Sequence, residues 1–296
     1  MIIGVATRNP KSWCSIRLGE AIKRKGHQVK YINLSKVAAR IGANPTLEYR
    51  GLNLAKDIAA LIVRPIGRGS LDEVIFRLDL LHRLEMAGIP VINSPKSIEL
   101  CVDKYHALMT LSKKGLPVPK TAVTEDVENA MKLFHELGGD VIVKPLFGSR
   151  GFGIVRVSDP DMAFRVFRAL EIIRSVIYIQ EFIPHGTKDI RAFVIGDNVI
   201  ASMYREATGW KTNIAQGAKP KPAKLKEEVR ELAIKAARAT GCEIAGVDIL
   251  ESPNGYYIVE INSMPGWEGL QKVSKVNIAE EIVSHVLNRV KKSKKP

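Results

Sequence analysis

Four short apolar runs, Ile2–Ala6, Val29–Ile32, Ala60–Val63 and Pro90–Ile92, are separated by longer amphipathic segments. This rhythm constrains the fold most. A strand that returns parallel to its predecessor needs a crossover, usually a helix. The first hundred residues therefore predict a parallel sheet with helices on its faces. Segments near 15–25 and 71–87 are the expected helices. In the second, Leu71, Val74, Ile75, Leu78 and Leu81 recur at steps of three and four, which puts them on one face.

The pattern then changes. A helix is expected from Ser97 to Lys114, ended by Gly115–Pro119. A strand (Lys120–Val123), a helix (127–137), a strand (Val141–Val143) and a glycine-rich loop (Gly148–Gly153) follow. Another strand, a helix near 160–173 and a strand over Val176–Gln180 complete a small α+β unit. A third block opens with two strands joined at Gly196-Asp197-Asn198, a hairpin signal. It continues through a polar loop (Glu206 to Pro222), a helix (Lys224–Thr240), a second hairpin and a helix near 278–290.

The chain has 296 residues and a net charge of +14, which suggests an anionic partner: nucleic acid, an acidic membrane surface, nucleotides or other acidic small molecules. Aromatic residues make up only 6%, and no basic stripe is interleaved with them, which argues against a nucleic-acid surface. Cys14, Cys101 and Cys242 are isolated and lack metal-ligand spacing. The N-terminus lacks the basic region and apolar core of a signal peptide, and no apolar run approaches the roughly 20 residues that span a bilayer. A cytoplasmic protein is expected. Glutamine is scarce, with four residues, while Lys and Arg abound, a bias toward heat tolerance.

The hairpin "VDILESPNGYYIVEINSMPG" (247–266) carries acids on apolar strands. A three-residue loop, Pro253-Asn254-Gly255, would pair Asp248 with Glu260. Period-two alternation then places Val247, Ile249, Val259 and Ile261 toward a core, with Asp248, Glu260 and Asn262 on the other face. Like charges directly opposite are destabilising. A hard divalent cation such as Mg²⁺ or Mn²⁺ would resolve this. A solvated face paired to lysines is the alternative, and a one-residue change in the loop would separate the pair.

A metal held by so few side chains usually shares substrate phosphates. "VIVKPLFGSRGFGI" offers Lys144 at a strand end, followed by Gly148, Gly151 and Gly153, whose backbone can approach phosphate closely. Its spacing fits neither a Rossmann fingerprint nor a Walker A loop, and a plain flexible hairpin remains open. "IYIQEFIP" reads as an interdomain segment able to present backbone groups to a base, or as a simple linker.

"DKYHALMTLSKKGLPVPKT", "VIVKPLFGSRGFGI", "YIQEFI", "DIRAFVIGDNVIASMYR", "WKTNIAQG", "AGVDILE" and "VEINSMPGWEGL" together resemble the ATP-grasp superfamily, specifically its RimK-like ligases. The resemblance runs in order over nearly the whole chain. It implies an α/β ATP-grasp fold: a Rossmann-like pre-grasp domain (1–96), a small α+β lid domain (97–183) and a C-terminal α+β domain (184–296), with ATP between the last two. It implies ATP-dependent amide-bond formation through an acyl phosphate.

By this correspondence Lys104, Lys144 and the loop with Gly148, Ser149, Gly151 and Gly153 contact ATP phosphates. Gln180, Glu181 and Phe182 form the adenine hinge, Asp189 holds the ribose, and Lys211 and Asn213 are further nucleotide contacts. Lys211 stands where relatives often have arginine. Asp248, Glu260 and Asn262 match metal ligands for two Mg²⁺ or Mn²⁺ ions. Arg205, with Lys144, is the catalytic candidate, stabilising the transferring phosphoryl group and the tetrahedral intermediate.

Details such as "GWKTNIAQG" and "VRPIGRGSLDEVIFRLDLL" are most similar to the archaeal ligases that add L-glutamate to tetrahydromethanopterin. A pterin-type acceptor is expected, with Arg64 and Arg68 binding it. Modification of a ribosomal protein's C-terminus, or of a carrier protein in lysine biosynthesis, are the alternatives. A nucleic-acid-binding protein with a regulatory ATP site is the reading from another class. Relatives are commonly dimers or tetramers, so a homo-oligomer is expected.

Overall fold

The N-terminal strand–helix rhythm is realised as a parallel sheet in the computed structural model, which describes residues 1–148 and 151–293. Its elements are β1 (Ile2–Ala6), α1 (Trp13–Arg24), β2 (Gln28–Ile32), β3 (Ala38–Ala39), β4 (Leu47–Tyr49), β5 (Leu52–Asn53), α2 (Leu54–Asp57), β6 (Ala60–Val63), α3 (Leu71–Met86) and β7 (Val91–Ile92). The order β2-β1-β6-β7 is parallel throughout, while β3, β4 and β5 form a small antiparallel sheet.

Helix α3 carries only part of the apolar face inward. Arg77, Leu80, Leu81 and Leu84 are buried, while Leu71 and Ile75 are 78% and 48% exposed. The Arg77 guanidinium donates to the carbonyls of Ile66, Gly67 and Arg68, which rotates the inner face toward that loop.

The middle of the chain supplies α4 (Pro95–Val102), α5 (Lys104–Lys113), β8 (Thr121–Thr124), α6 (Val127–Glu136), β9 (Val141–Val143), β10 (Val155–Val157), α7 (Pro160–Ile172) and β11 (Ile177–Glu181). The single helix expected over 97–114 is two. Asp103 accepts from the N–H groups of Tyr105 and His106, so it caps a new helix rather than continuing the old one. Strands β10-β9-β11-β8 form an antiparallel sheet whose own core includes Phe134, Phe167, Ile177 and Ile179.

The remainder forms β12 (Lys188–Ile195), β13 (Asn198–Glu206), β14 (Lys219–Pro222), α8 (Glu227–Ala239), β15 (Ile244–Ser252), β16 (Gly255–Asn262), α9 (Glu268–Gln271) and α10 (Ile278–Ser293). The sheet order is β14-β13-β12-β15-β16, all antiparallel. Helix α8 covers one face. The other meets α10 and α1, so Ile3, Leu18 and Ile62 share a core with Phe193, Trp267 and Val283. Asn93 stitches the two parts further: its side chain donates to the carbonyls of Ile244 and Ser263 and accepts from the N–H groups of Glu243 and Ile244. No helix among the described residues is long and apolar enough to cross a membrane.

Candidate active site

The two acids meet, but by a different register from the one expected. Ser252 pairs with Gly255, so the turn is Pro253-Asn254, one residue shorter than predicted. An unbroken ladder would then set Asp248 against Val259. Instead the register steps from Ile249↔Ile258 to Asp248↔Glu260, leaving Val259 as an extra residue. The bulge restores the facing pair. It also changes the apolar face: Ile258, fully buried, takes the core position expected of Val259, and Val259 lines the cleft beside Glu260.

Asp248 is buried and held by two arginines. Arg191 Nε lies 2.6 Å from Oδ1 and its Nη2 donates to Oδ2 at 3.1 Å, while Arg205 Nη2 reaches Oδ2 at 3.0 Å. Arg205 also grips Asp189 with Nε donating to Oδ1 at 2.7 Å and Nη2 to Oδ2. Burial works against the Arg205 charge, yet Asp248 and Asp189 hold its pKa above the ordinary value. Burial likewise lifts the Asp189 pKa, against the pull of Arg205.

Both Asp189 oxygens are thus engaged by Arg205. It anchors the arginine while lining the cleft, and each carboxylate oxygen keeps a further lone pair. Arg191 is a site residue that the sequence reading missed. Its signal lies two positions after Asp189, on the same face of β12 and opposite Asp248 in register. Its guanidinium lies across Gly246, where a Cβ would fall 2.2 Å from Nη1. A larger residue would have to displace that guanidinium and Pro265.

The acid face suits a hard cation. Asp248 Oδ1 is buried and accepts no aligned hydrogen bond among the described residues, despite the nearby Arg191. Glu260 faces it, and Asn262 follows two residues on. No three His, Cys, Asp or Glu side chains converge among the described residues. Two carboxylates and one amide would therefore need phosphate oxygens and water to complete a Mg²⁺ or Mn²⁺ shell.

Two lysines enter the same cleft. Lys144, just after β9, is buried; its Nζ donates to Gln180 Oε1 at 2.8 Å and lies 5.5 Å from the Tyr178 ring centre. Burial lowers its pKa to about 8, with Glu260 opposing the shift. Gln180 is fixed in turn by donating to Thr121 Oγ1 at 2.8 Å, so its side chain orients Lys144. Lys104 opens α5 and donates to the carbonyls of Leu146 (3.3 Å) and Gly148 (2.8 Å). Burial lowers its pKa too.

Of the glycine loop, Gly151 reaches a residue that lines the cleft, Asn213. Gly151 and Gly153 have φ of +75° and +78°, and a Cβ on Gly151 would sit 2.3 Å from Asn213 Oδ1. Gly151 thus packs on the 210–213 loop. Lys211 lines the cleft with its Nζ 5.3 Å from the Trp210 ring centre. Ser149, expected to join the phosphate contacts, lies outside the described residues.

At the hinge, the Glu181 and Phe182 N–H groups already donate to the carbonyls of Lys120 and Asp140. Glu181 Oε1 accepts from the Lys120 N–H, so that donor does not occupy the Glu181 carbonyl. What this segment offers a base is carbonyl oxygen, not those two N–H groups. The Phe182 ring lies 3.5 Å from the Arg156 guanidinium carbon and meets Trp210 edge-on. Ile142, Leu250 and Val259 give the cleft, about 690 Å³ of space continuous with solvent, its apolar walls.

Arg64, expected to bind the acceptor, is enclosed in the structure. It is 8% exposed, donates to the Pro265 carbonyl at 2.8 Å and covers the Trp267 ring at 4.8 Å. The sequence placed it in a loop; the structure puts it between the first and third parts of the chain. Arg68 is exposed.

Residues 1–98 match a RimK PreATP-grasp domain and residues 101–286 a RimK-like ATP-grasp domain. The chain is 34% identical to the tetrahydromethanopterin:alpha-L-glutamate ligase of Methanosarcina acetivorans, covering 97% of this chain and 98% of that one. The ligase of the same name from Methanococcus maripaludis is 36% identical, over 95% and 96%. A probable alpha-L-glutamate ligase of Legionella pneumophila is 32% identical, over 98% and 97%. Among solved structures, the ATP-grasp ligase PsnB with a minimal precursor, Mg and ADP superposes with a TM-score of 0.76 at 22% identity, over 98% and 97%. A RimK domain protein from Sphaerobacter thermophilus gives 0.75 at 22%, over 97% and 100%. These two similarities bear on the fold.

Proposed function

The chain belongs to the RimK-like ATP-grasp ligase family, and from that premise we propose that it joins L-glutamate to a carboxylate of a pterin-type cofactor. The enzyme is an ATP-dependent carboxylate–amine ligase. A carboxylate oxygen of the acceptor attacks the γ-phosphorus of ATP, and the bond to the β,γ-bridging oxygen breaks, giving an acyl phosphate and ADP. The glutamate nitrogen then attacks the acyl carbon, loses a proton, and the carbon–oxygen bond to phosphate breaks.

The observation that carries this reading is one cleft combining facing carboxylates, a buried Arg205 and two partly desolvated lysines. Phosphoryl transfer calls for positioning and for neutralising spread negative charge. Arg205 would supply a fixed cation already oriented by Asp189 and Asp248. Lys144 and Lys104 would take phosphate oxygens, Lys104 exchanging the Gly148 carbonyl for them. Backbone at Gly148, Gly151 and Gly153 would close over the phosphates, with Lys211 and Asn213 on the far side. Asp248, Glu260 and Asn262 would hold Mg²⁺ or Mn²⁺, as two ions, whose charge draws electron density from the transferring phosphoryl group. The carbonyls at Glu181 and Phe182 would face the adenine between Ile142, Leu250 and Val259. We assign 1–96, 97–183 and 184–296 as pre-grasp, lid and large domains.

The methanogen relatives' names support a tetrahydromethanopterin-type acceptor. The test is mass spectrometry of that cofactor with ATP, Mg²⁺ and each amino acid. A gain of one glutamyl unit, with ADP formed, is expected. Modification of a protein terminus instead, or no gain with any pterin, would overturn the acceptor.

A further inference from the structure

In an open parallel sheet, ligands bind beyond the carboxyl ends of the strands where the strand order reverses. Here that point lies between β1 and β6, because β2 flanks β1 on one side and β7 flanks β6 on the other. The crevice is bounded by loops 7–12 and 64–70, and both are built. Arg8 donates from Nη1 to the Arg68 carbonyl at 3.1 Å. It lies flat on Gly67, whose φ is +89° and where a Cβ would fall 2.2 Å from Arg8 Cδ. From beneath, the buried Arg77 ties down the carbonyls of Ile66, Gly67 and Arg68.

The result is two exposed guanidinium groups on a braced loop. Neither Arg8 nor Arg68 forms an ion pair among the described residues. The nearby acids are engaged: Glu73 accepts from the Ser70 N–H and pairs with Arg77, and Asp72 is hydrogen-bonded to Ser70. Helix α1, which starts just past the first loop, has no acid in its first turn. The crevice therefore has uncompensated positive charge.

It also leads to the active site. Arg64, at the base of the second loop, donates to the carbonyl of Pro265, three residues after Asn262. A Cβ on Gly246 would meet both Pro265 and Arg191, so this floor is continuous with the Arg191–Asp248 contact.

We propose that this crevice seats the acceptor: Arg8 and Arg68 bind a remote carboxylate or phosphate of an anionic substrate, directing its reacting carboxylate toward Asp248 and Glu260. This rests on the ligase reading above and adds Arg8, unassigned until now, in place of Arg64. Arg pairs either oxyanion in bidentate fashion.

The test has two arms. In turnover with tetrahydromethanopterin, Arg68→Ala and Arg8→Ala should each raise the acceptor KM roughly tenfold or more, leaving the KM values of ATP and glutamate in place. Arg8→Lys, which keeps the charge but not the two-pronged donor, should recover only part of the loss. An unchanged acceptor KM, or a rise in the glutamate KM instead, would overturn the proposal. The second arm does not depend on which acceptor is modified. With the cleft saturated by a non-hydrolysable ATP analogue and Mg²⁺, inorganic phosphate and glutarate are titrated by calorimetry. Saturable binding by the wild type that is lost in the Arg8→Ala/Arg68→Ala double variant supports the seat, and the tighter anion identifies the group bound. No saturable change in the wild type, or an equal one in the double variant, rejects it. Binding lost in the variant without glutamylation of tetrahydromethanopterin would remove that cofactor and leave the seat.

Discussion

Asp248 and Glu260 share one rung of a sheet but not one environment. Asp248 is neutralised by Arg191 and Arg205, while Glu260 has no ion pair among the described residues. Removing them should therefore separate stability from activity. Asp248→Ala leaves Arg191 without an ion pair and Arg205 with Asp189 alone, and is expected to cost about 3 kcal/mol. Glu260→Ala relieves a like-charge contact and should leave thermal unfolding near the wild-type midpoint, yet abolish ATP-dependent ligation. A folded Glu260→Ala enzyme with normal phosphate release would remove the metal assignment.

Lys144 gives a second residue-level expectation, through pH. Its pKa, lowered to about 8 by burial, means the ammonium that binds phosphate is present below that pH and lost above it. ADP affinity without divalent cation should weaken as pH rises past about 8, and Lys144→Arg, which stays charged, should flatten the profile. The stability sign is opposite. Because the folded pKa lies below the ordinary 10.5, this group's stability contribution grows between about 8 and 10.5 as pH rises. Titration calorimetry at pH 7 and 9 checks the first expectation, and a pH-independent affinity would contradict it.

At the scale of elements, residue type and spacing were enough for most strands, and for the acid pair only by a compensation. The turn is one residue shorter than Pro253-Asn254-Gly255 suggested, and the bulge at Val259 returns the register. Nothing in Ile258-Val259-Glu260 marks a bulge, since two successive apolar residues serve a core and a cleft wall equally well. The break before α5 was missed as well, although an Asp just before a lysine can cap a helix. That cap sets the position of Lys104 at the first helical residue. Asp103→Ala is expected to cost about 1 kcal/mol and to raise the KM for ATP severalfold, because Lys104 loses its fixed origin. A thermal shift without a change in that KM would show that the cap serves stability alone.

At the scale of the molecule, the ladder of motifs along the chain suggested successive domains, and one hydrophobic core spans the first and the third of them. Local periodicity reports which face of an element is apolar, but not which distant element covers it. Arg64 is the clearest case: an arginine beside Pro and Gly reads as a surface loop, whereas Trp267, two hundred residues later, gives it a buried ring to lie on. Leu18 and Ile62 of the first part pack with Phe193, Trp267 and α10 of the third, while the β10-β9-β11-β8 sheet keeps its own core. A fragment of residues 1–98 would expose α1, together with one face of the parallel sheet. Each large side chain uncovered gives up about 1.5–3 kcal/mol, and only a few such losses equal the net stability of a typical domain. The fragment is therefore expected to lack a cooperative unfolding transition and a dispersed proton NMR spectrum, although it matches a family domain. A fragment that folds cooperatively by itself would mean that the shared core aligns two independent units rather than completing one.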